Sequence, residues 1–331
     1  MKTSLALAPM YAAMMGVPVL MVLYLLALLF VPAAAHYVFV PLIIIGLLAF
    51  GISGMVEVYV KGHAKSPALS MFNHPKKEKG MNISELPGNP AELIVTRLNA
   101  GAKEADRQIY ALHISRFTSV LDMLCAVKEK GDQTLSFRYS CRMGICGSCA
   151  MVINGKPALA CETNAMKNLR NGAINVQPMQ AHPILKDLVC DLDEFFAKHL
   201  SVTPRLYRRD KKGQYEAQEE YPQKQSQIQE FLPYSYCIMC GLCMDACPVV
   251  NVNPDFIGPQ PLSQAYRYYK DSRDQLNVKR LNEIDTLEGL WGCEYAGACS
   301  KVCPKGVDPA SAIQLMKKDT MKSNITNEKK G

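Results

Sequence analysis

Cysteine spacing limits what this chain can become more than any other feature. It holds 13 cysteines in 331 residues. Disulfide-dense scaffolds are short and secreted, whereas this chain is long, and its cysteines lie in tight runs whose neighbours do not bridge without strain. Metal ligation in a reducing compartment is the reading that fits. The first run, Cys141-Arg-Met-Gly-Ile-Cys146-Gly-Ser-Cys149, is closed by Cys161. That C-x4-C-x2-C…C order is the plant-type spacing for a 2Fe–2S cluster. Three thiolates must converge from one loop while its amides point at the sulfides, and Gly144 and Gly147 permit that close backbone approach. Zinc is the alternative, but structural zinc favours paired C-x2–4-C knuckles.

The second run, Cys237-Ile-Met-Cys240-Gly-Leu-Cys243-Met-Asp-Ala-Cys247-Pro248, has the bacterial spacing C-x2-C-x2-C-x3-C-P, in which the last cysteine serves the other cluster of a pair. A partner run is therefore required, and Cys293-Glu-Tyr-Ala296-Gly-Ala-Cys299-Ser-Lys-Val-Cys303-Pro304 supplies it. On the same frame, position 296 should be cysteine and is alanine. Counting assigns Cys237, Cys240, Cys243 and Cys303 to a 4Fe–4S cluster. Cys247, Cys293 and Cys299 remain, and three thiolates make a 3Fe–4S cluster the natural product. A four-iron cluster with water or another ligand at the open corner is the alternative. Cys125, in an apolar helical stretch, and Cys190, in Leu188-Val-Cys-Asp-Leu, read as small buried hydrophobes.

Charge is unevenly placed. The formal net charge is +7, yet no Lys, Arg, Asp or Glu occurs from Thr3 to Val56. That stretch is too long for a signal peptide and holds two apolar spans, Leu5 to Phe30 and Tyr37 to Tyr59, each near the ~20 residues a bilayer requires. Lys2 precedes the first, and Lys61, Lys65, Lys76, Lys77 and Lys79 follow the second. The positive-inside rule then expects a multi-pass hairpin in the cell inner (cytoplasmic) membrane with both ends, and the soluble domains, in the cytoplasm. His36 and His63 lie outside the two spans, which argues against paired axial haem ligands there. A basic cluster at Arg205, Arg208, Arg209, Lys211 and Lys212 is followed directly by acids and lacks an aromatic platform, so nucleic acid is not an expected partner.

The remaining pattern is α+β. Glu92–Leu98 and Gln108–Ile114 read as paired strands. Ser119–Lys130 has the apolar spacing of a helix (Val120, Leu121, Leu124, Val127), with a cap at Thr118 or Ser119. Short strands are expected at Ala150–Ile153 and Ile174–Val176. Beyond Ile184 the pattern turns helical, with candidates at Leu185–Leu200 and Leu262–Lys279 separated by a polar linker or exposed helix, Arg205–Gln229. The expected segments are a transmembrane helical hairpin (1–60), a linker (61–90), a 2Fe–2S domain (91–190) and a helical 4Fe–4S/3Fe–4S domain (191–331).

These residues resemble the iron–sulfur subunits of fumarate reductase and succinate dehydrogenase. The resemblance spans roughly Ala91 to Lys318 and rests on SCRMGICGSC (140–149), CIMCGLCMDACP (237–248), NPDFIGP (253–259), AYRYYKDSRD (265–274) and GLWGCEYAGACSKVCPKGVDPASAI (289–313). It implies a β-grasp plant-type ferredoxin domain followed by an all-α bacterial-ferredoxin-like domain. It also implies that 2Fe–2S, 4Fe–4S and 3Fe–4S clusters pass single electrons between an FAD-containing flavoprotein subunit and a membrane quinone, beside membrane anchor subunits. Dicarboxylate chemistry belongs to the flavoprotein, so no catalytic residue is expected in this chain, which shows no dinucleotide fingerprint. Val249-Val-Asn-Val252 stands where many succinate dehydrogenases carry an aromatic pair, and Lys317 matches a lysine near the quinone of bacterial fumarate reductases. With Trp291, the only tryptophan, it is the candidate quinone-proximal group. The hairpin departs from the family pattern. Competing readings are a subunit of another flavoprotein dehydrogenase or thiol-linked fumarate reductase, and a membrane-tethered redox sensor.

Overall fold

The computed structural model describes residues 78–82, 88–98, 105–208 and 220–328. β2 (Asn89–Arg97) and β3 (Asp106–Ile114) pair antiparallel, Leu93 opposite Tyr110 and Val95 opposite Gln108. Their inward residues alternate as a half-buried strand requires: Ala91, Leu93 and Val95 from β2, with Tyr110, Leu112 and Ile114 from β3. β4 (Ala150–Ile153), β5 (Lys156–Leu159) and β6 (Ala173–Gln177) extend the sheet, and β6 runs parallel to β2. The edge strand β1 (Glu78–Asn82) pairs parallel with β3, giving the order β1-β3-β2-β6-β4-β5. β1 falls inside the stretch expected to be linker, and β2 begins before its end. The polar, glycine-containing sequence there hides a strand whose pairing comes from the ladder rather than from apolar alternation.

One helix, α1 (Val120–Lys130), packs on this sheet and buries Val120, Leu121, Met123, Leu124 and Val127. Ser119 is its cap: its hydroxyl accepts from the Asp122 amide at 3.1 Å while the Asp122 carboxylate accepts from the Ser119 amide at 2.8 Å. After the short α2 (Ala165–Asn168) and β6, the expected helix Leu185–Leu200 is replaced by a small hairpin, β7 (Ile184–Lys186) against β8 (Val189–Cys190). The turn holds Asp187 at φ 51°. Its carboxylate accepts from Arg97 Nε and Nη2 at 2.8 and 2.9 Å and from the Ser136 amide at 2.8 Å, a tertiary fixture that overrides the local helical spacing. Helix begins only at α3 (Asp193–Ser201), which carries Asp193 and Glu194 in its first turn and buries Phe195.

The second half is helical: α4 (Gln225–Ser235), α5 (Leu242–Asp245), α6 (Pro248–Val252), α7 (Pro259–Tyr269), α8 (Asn277–Ile284), a 3-10 turn at Leu290–Gly292, α9 (Ala298–Val302) and α10 (Pro309–Glu328). The continuous stretch expected at Leu262–Lys279 is two helices. Asp271 takes the Arg273 amide and guanidinium into a tight turn, and Asp274 receives the Tyr207 amide and Arg280. Arg280 is fully buried and also donates to the Val202 and Thr203 carbonyls. Within the expected polar linker, Gln225 onward is helix α4, and residues 209–219 lie outside the described residues. Cys190 is buried and Cys125 packs against the first core, as small hydrophobes do. Among the described residues no helix is long and apolar enough to cross a membrane. The hairpin expected at 1–60 lies outside them.

Candidate metal centres

The first cysteine loop is built to aim amides at sulfur. Arg142, Gly144 and Gly147 adopt φ of 58°, 69° and 75°, turning successive N–H groups inward. Gly144 N–H donates to Cys161 Sγ at 3.2 Å, and the amides of Ile145 and Cys146 donate to Cys141 Sγ at 3.2 Å each. Cys149 is delivered from just before β4 and Cys161 from just after β5, so a strand hairpin brings the fourth thiol to the loop. The Ser148 hydroxyl and neighbouring amides pull the exposed Cys146 thiol down to about 6, while burial pushes Cys149 up to about 12. Metal binding replaces both protons. A Cβ at Gly147 would lie 2.9 Å from Cys240 Cβ and 3.1 Å from Cys240 Cα, so this loop rests directly on the next one. Asp245 reinforces that junction by accepting the Gln180 and Ala181 amides, and Lys305 stands 3.6 Å from the Glu162 carboxylate. Leu242 completes the seal, buried in the core of the sheet domain.

The second and third runs are one backbone motif used twice. Met239 and Tyr295 have φ of 52° and 58°, and Gly241 and Gly297 have φ of 81° and 68°. Cys247 and Cys303, each before proline, share extended backbone at φ/ψ −79°/118° and −67°/117°. Ala296 therefore occupies in its loop the place of Cys240. Cys237, Cys240, Cys243 and Cys303 line one cavity. Cys247, Cys293, Cys299 and Ala296 line another. The two are interlocked: α5 and the residue pair after it carry Cys243 to the first cavity and Cys247 to the second, while α9 carries Cys299 to the second and is followed by Cys303 at the first.

Burial pushes the Cys243 thiol far up and the Cys240 and Cys299 thiols up to about 11, so they stay neutral until a metal takes the proton's place. Among the described residues no three His, Cys, Asp or Glu side chains gather tightly enough for a single metal ion. The thiols stand instead around two mainly apolar cavities. All-sulfur donors, inward amides in the first loop and cavities walled by cysteine fit iron–sulfur clusters.

Three features of these centres are not visible in the cysteine spacing. Gln260 Nε2 lies 3.8 Å from Cys237 Sγ, Gln314 Nε2 lies 3.8 Å from Cys293 Sγ, and Lys317 Nζ donates to the Cys293 carbonyl at 2.8 Å. Lys317 also sits 5.4 Å from the centre of the half-exposed Trp291 ring, so the two residues expected near quinone stand together beside Cys293. Glutamine has no periodic signature, and only the fold reveals its partner.

Residues 92–197 match the 2Fe-2S iron-sulfur cluster binding domain, and residues 233–307 match the 4Fe-4S dicluster domain. The chain is 45% identical over 210 residues to the fumarate reductase iron-sulfur subunit of Mycobacterium tuberculosis, covering 63% of this chain and 84% of that one. It is 37% identical over 234 residues to the subunit of the same name from Haemophilus influenzae, covering 67% and 90%. In fold it resembles a chain of the Mycobacterium smegmatis Sdh1 complex in the apo form, with a TM-score of 0.63 at 24% identity over 70% of this chain and 96% of that chain.

Proposed function

The chain belongs to the fumarate reductase/succinate dehydrogenase iron–sulfur subunit family and is an electron-transfer subunit of that oxidoreductase; from this premise we propose that it holds three clusters in series between an FAD-containing flavoprotein and a membrane quinone. The observation that carries the proposal is the contact of the cysteine sets: Gly147 of the first loop lies against Cys240 of the second, and α5 and α9 each serve both remaining cavities. Bound there, the clusters supply one-electron transfer. The ligands are Cys141, Cys146, Cys149 and Cys161 for 2Fe–2S, Cys237, Cys240, Cys243 and Cys303 for 4Fe–4S, and Cys247, Cys293 and Cys299 for 3Fe–4S. Ala296 at the Cys240-equivalent position supports the three-iron assignment, since a methyl group offers iron no ligand.

The protein's own residues set the two ends of the relay. Met143 and Ile145, within the first loop, are 70% and 58% exposed, an apolar tip suited to docking the flavoprotein. At the other end Leu287, Tyr295 and Trp291 are exposed near Cys293, with Lys317 as the cation that would orient a quinone carbonyl. This face meets the anchor subunits and the bilayer. Separately, the absence of Lys, Arg, Asp and Glu from Thr3 to Val56 supports reading 1–60 as a transmembrane hairpin of the chain's own in the inner membrane. Purification in mild detergent tests the reading. A co-purifying flavoprotein with succinate–quinone or quinol–fumarate activity is expected, and isolation of the chain alone with intact clusters would overturn it.

A further inference from the structure

We infer that Gln260 and Gln314 are potential-setting residues, each donating an N–H···S hydrogen bond to the first cysteine of one cluster and so raising the potential of that cluster alone. The inference rests on the cluster assignment above. Gln260 is 1% exposed on the first turn of α7, between Pro259 and Pro261, whose fixed φ holds the backbone that carries it. Its Nε2 faces Cys237 Sγ at 3.8 Å and His199 Nδ1 at 3.2 Å, while its Oε1 has no hydrogen-bond partner. Burying an amide with an idle carbonyl is costly. What the site uses is the donor end. Flipping the amide would set oxygen lone pairs against a thiolate, so the orientation follows from the charge of the sulfur.

Gln314 makes the matching contact from another helix. On α10 it lies three residues before Lys317, on one helix face. The two grip Cys293 together, Gln314 at Sγ and Lys317 at the carbonyl. Cys237 lines the cavity assigned to 4Fe–4S and Cys293 the one assigned to 3Fe–4S, so each glutamine reaches one cluster. Adding an electron makes a cluster and its thiolates more negative. A donor on the sulfur therefore stabilises the reduced state more than the oxidised one and raises the potential.

Redox titration of the full complex, followed by electron paramagnetic resonance, tests this. Gln260→Leu lowers the 4Fe–4S midpoint and leaves the 3Fe–4S midpoint in place, and Gln314→Leu does the reverse. Gln260→Met and Gln314→Met, which keep length but carry no donor, reproduce each shift and serve where a leucine variant assembles poorly. Unmoved midpoints, or both variants moving the same cluster, would overturn the inference. Missing cluster signals in the unsubstituted protein would instead refute the assignment on which it rests.

Discussion

Gly147→Ala tests whether the first two cysteine loops touch as closely as the fold requires. Two costs combine at this position. Its φ of +75° lies in the left-handed region, where a side chain costs about 1–2 kcal/mol. The new Cβ would also meet Cys240 Cβ at 2.9 Å, Cys240 Cα at 3.1 Å and the Ile238 carbonyl oxygen at 3.2 Å, against an ordinary carbon contact of about 3.5–4.0 Å. None of these atoms can swing away as a side-chain tip can, so overpacking adds about 1–3 kcal/mol. Gly155 provides the control: its φ is +76°, but a Cβ there meets nothing within 4 Å. Gly155→Ala carries the backbone cost alone. The two variants should therefore differ by about 1–3 kcal/mol, or roughly 2–12 °C in apparent melting temperature. Heating the variants side by side while following the visible absorbance of the clusters reads that difference. Equal losses would mean that the loops are not in contact at Gly147, and the series arrangement would lose its support.

Ala296→Cys restores the missing thiol to the motif, and the oxidised three-iron resonance should give way to a four-iron centre; persistence of the original signal would show that position 296 does not face the cluster. Arg280→Met leaves the Asp274 carboxylate buried without its partner, the two side chains being 1% and 0% exposed, and should cost about 3–5 kcal/mol in denaturant unfolding. At Asp271 burial alone would raise the carboxyl, but the Arg273 guanidinium and amide and the Gln223 amide outweigh it and hold the group below the usual carboxylate range. A lowered folded-state pKa contributes stability that is present above the unfolded value and is lost as pH falls through the folded one. Asp271→Asn should flatten that part of the acid limb of a stability–pH profile, and an unchanged limb would count against the Arg273 contact as its source.

Cysteine spacing alone marked the three runs, grouped their thiols and exposed the odd alanine at 296, because the spacing within each run is a local constraint written in a dozen residues. The capped helix after Thr118 and the antiparallel pair β2–β3 were equally legible, since period and capping are written within a dozen residues. The hairpin at Ile184–Cys190 was not: its turn is held by Arg97, about 90 positions away in the chain. The break at Asp271–Asp274 depends likewise on Tyr207, whose amide donates to Asp274 from 67 positions away, and the edge strand β1 depends on a ladder partner. Most of what tunes and connects the centres belongs to tertiary structure as well. Gly147 against Cys240, Gln260 and Gln314 on the thiols, and Lys317 beside Trp291 are contacts between segments distant in sequence. A spacing rule names what a loop can bind; only packing decides which loops meet and which side chains reach their sulfurs.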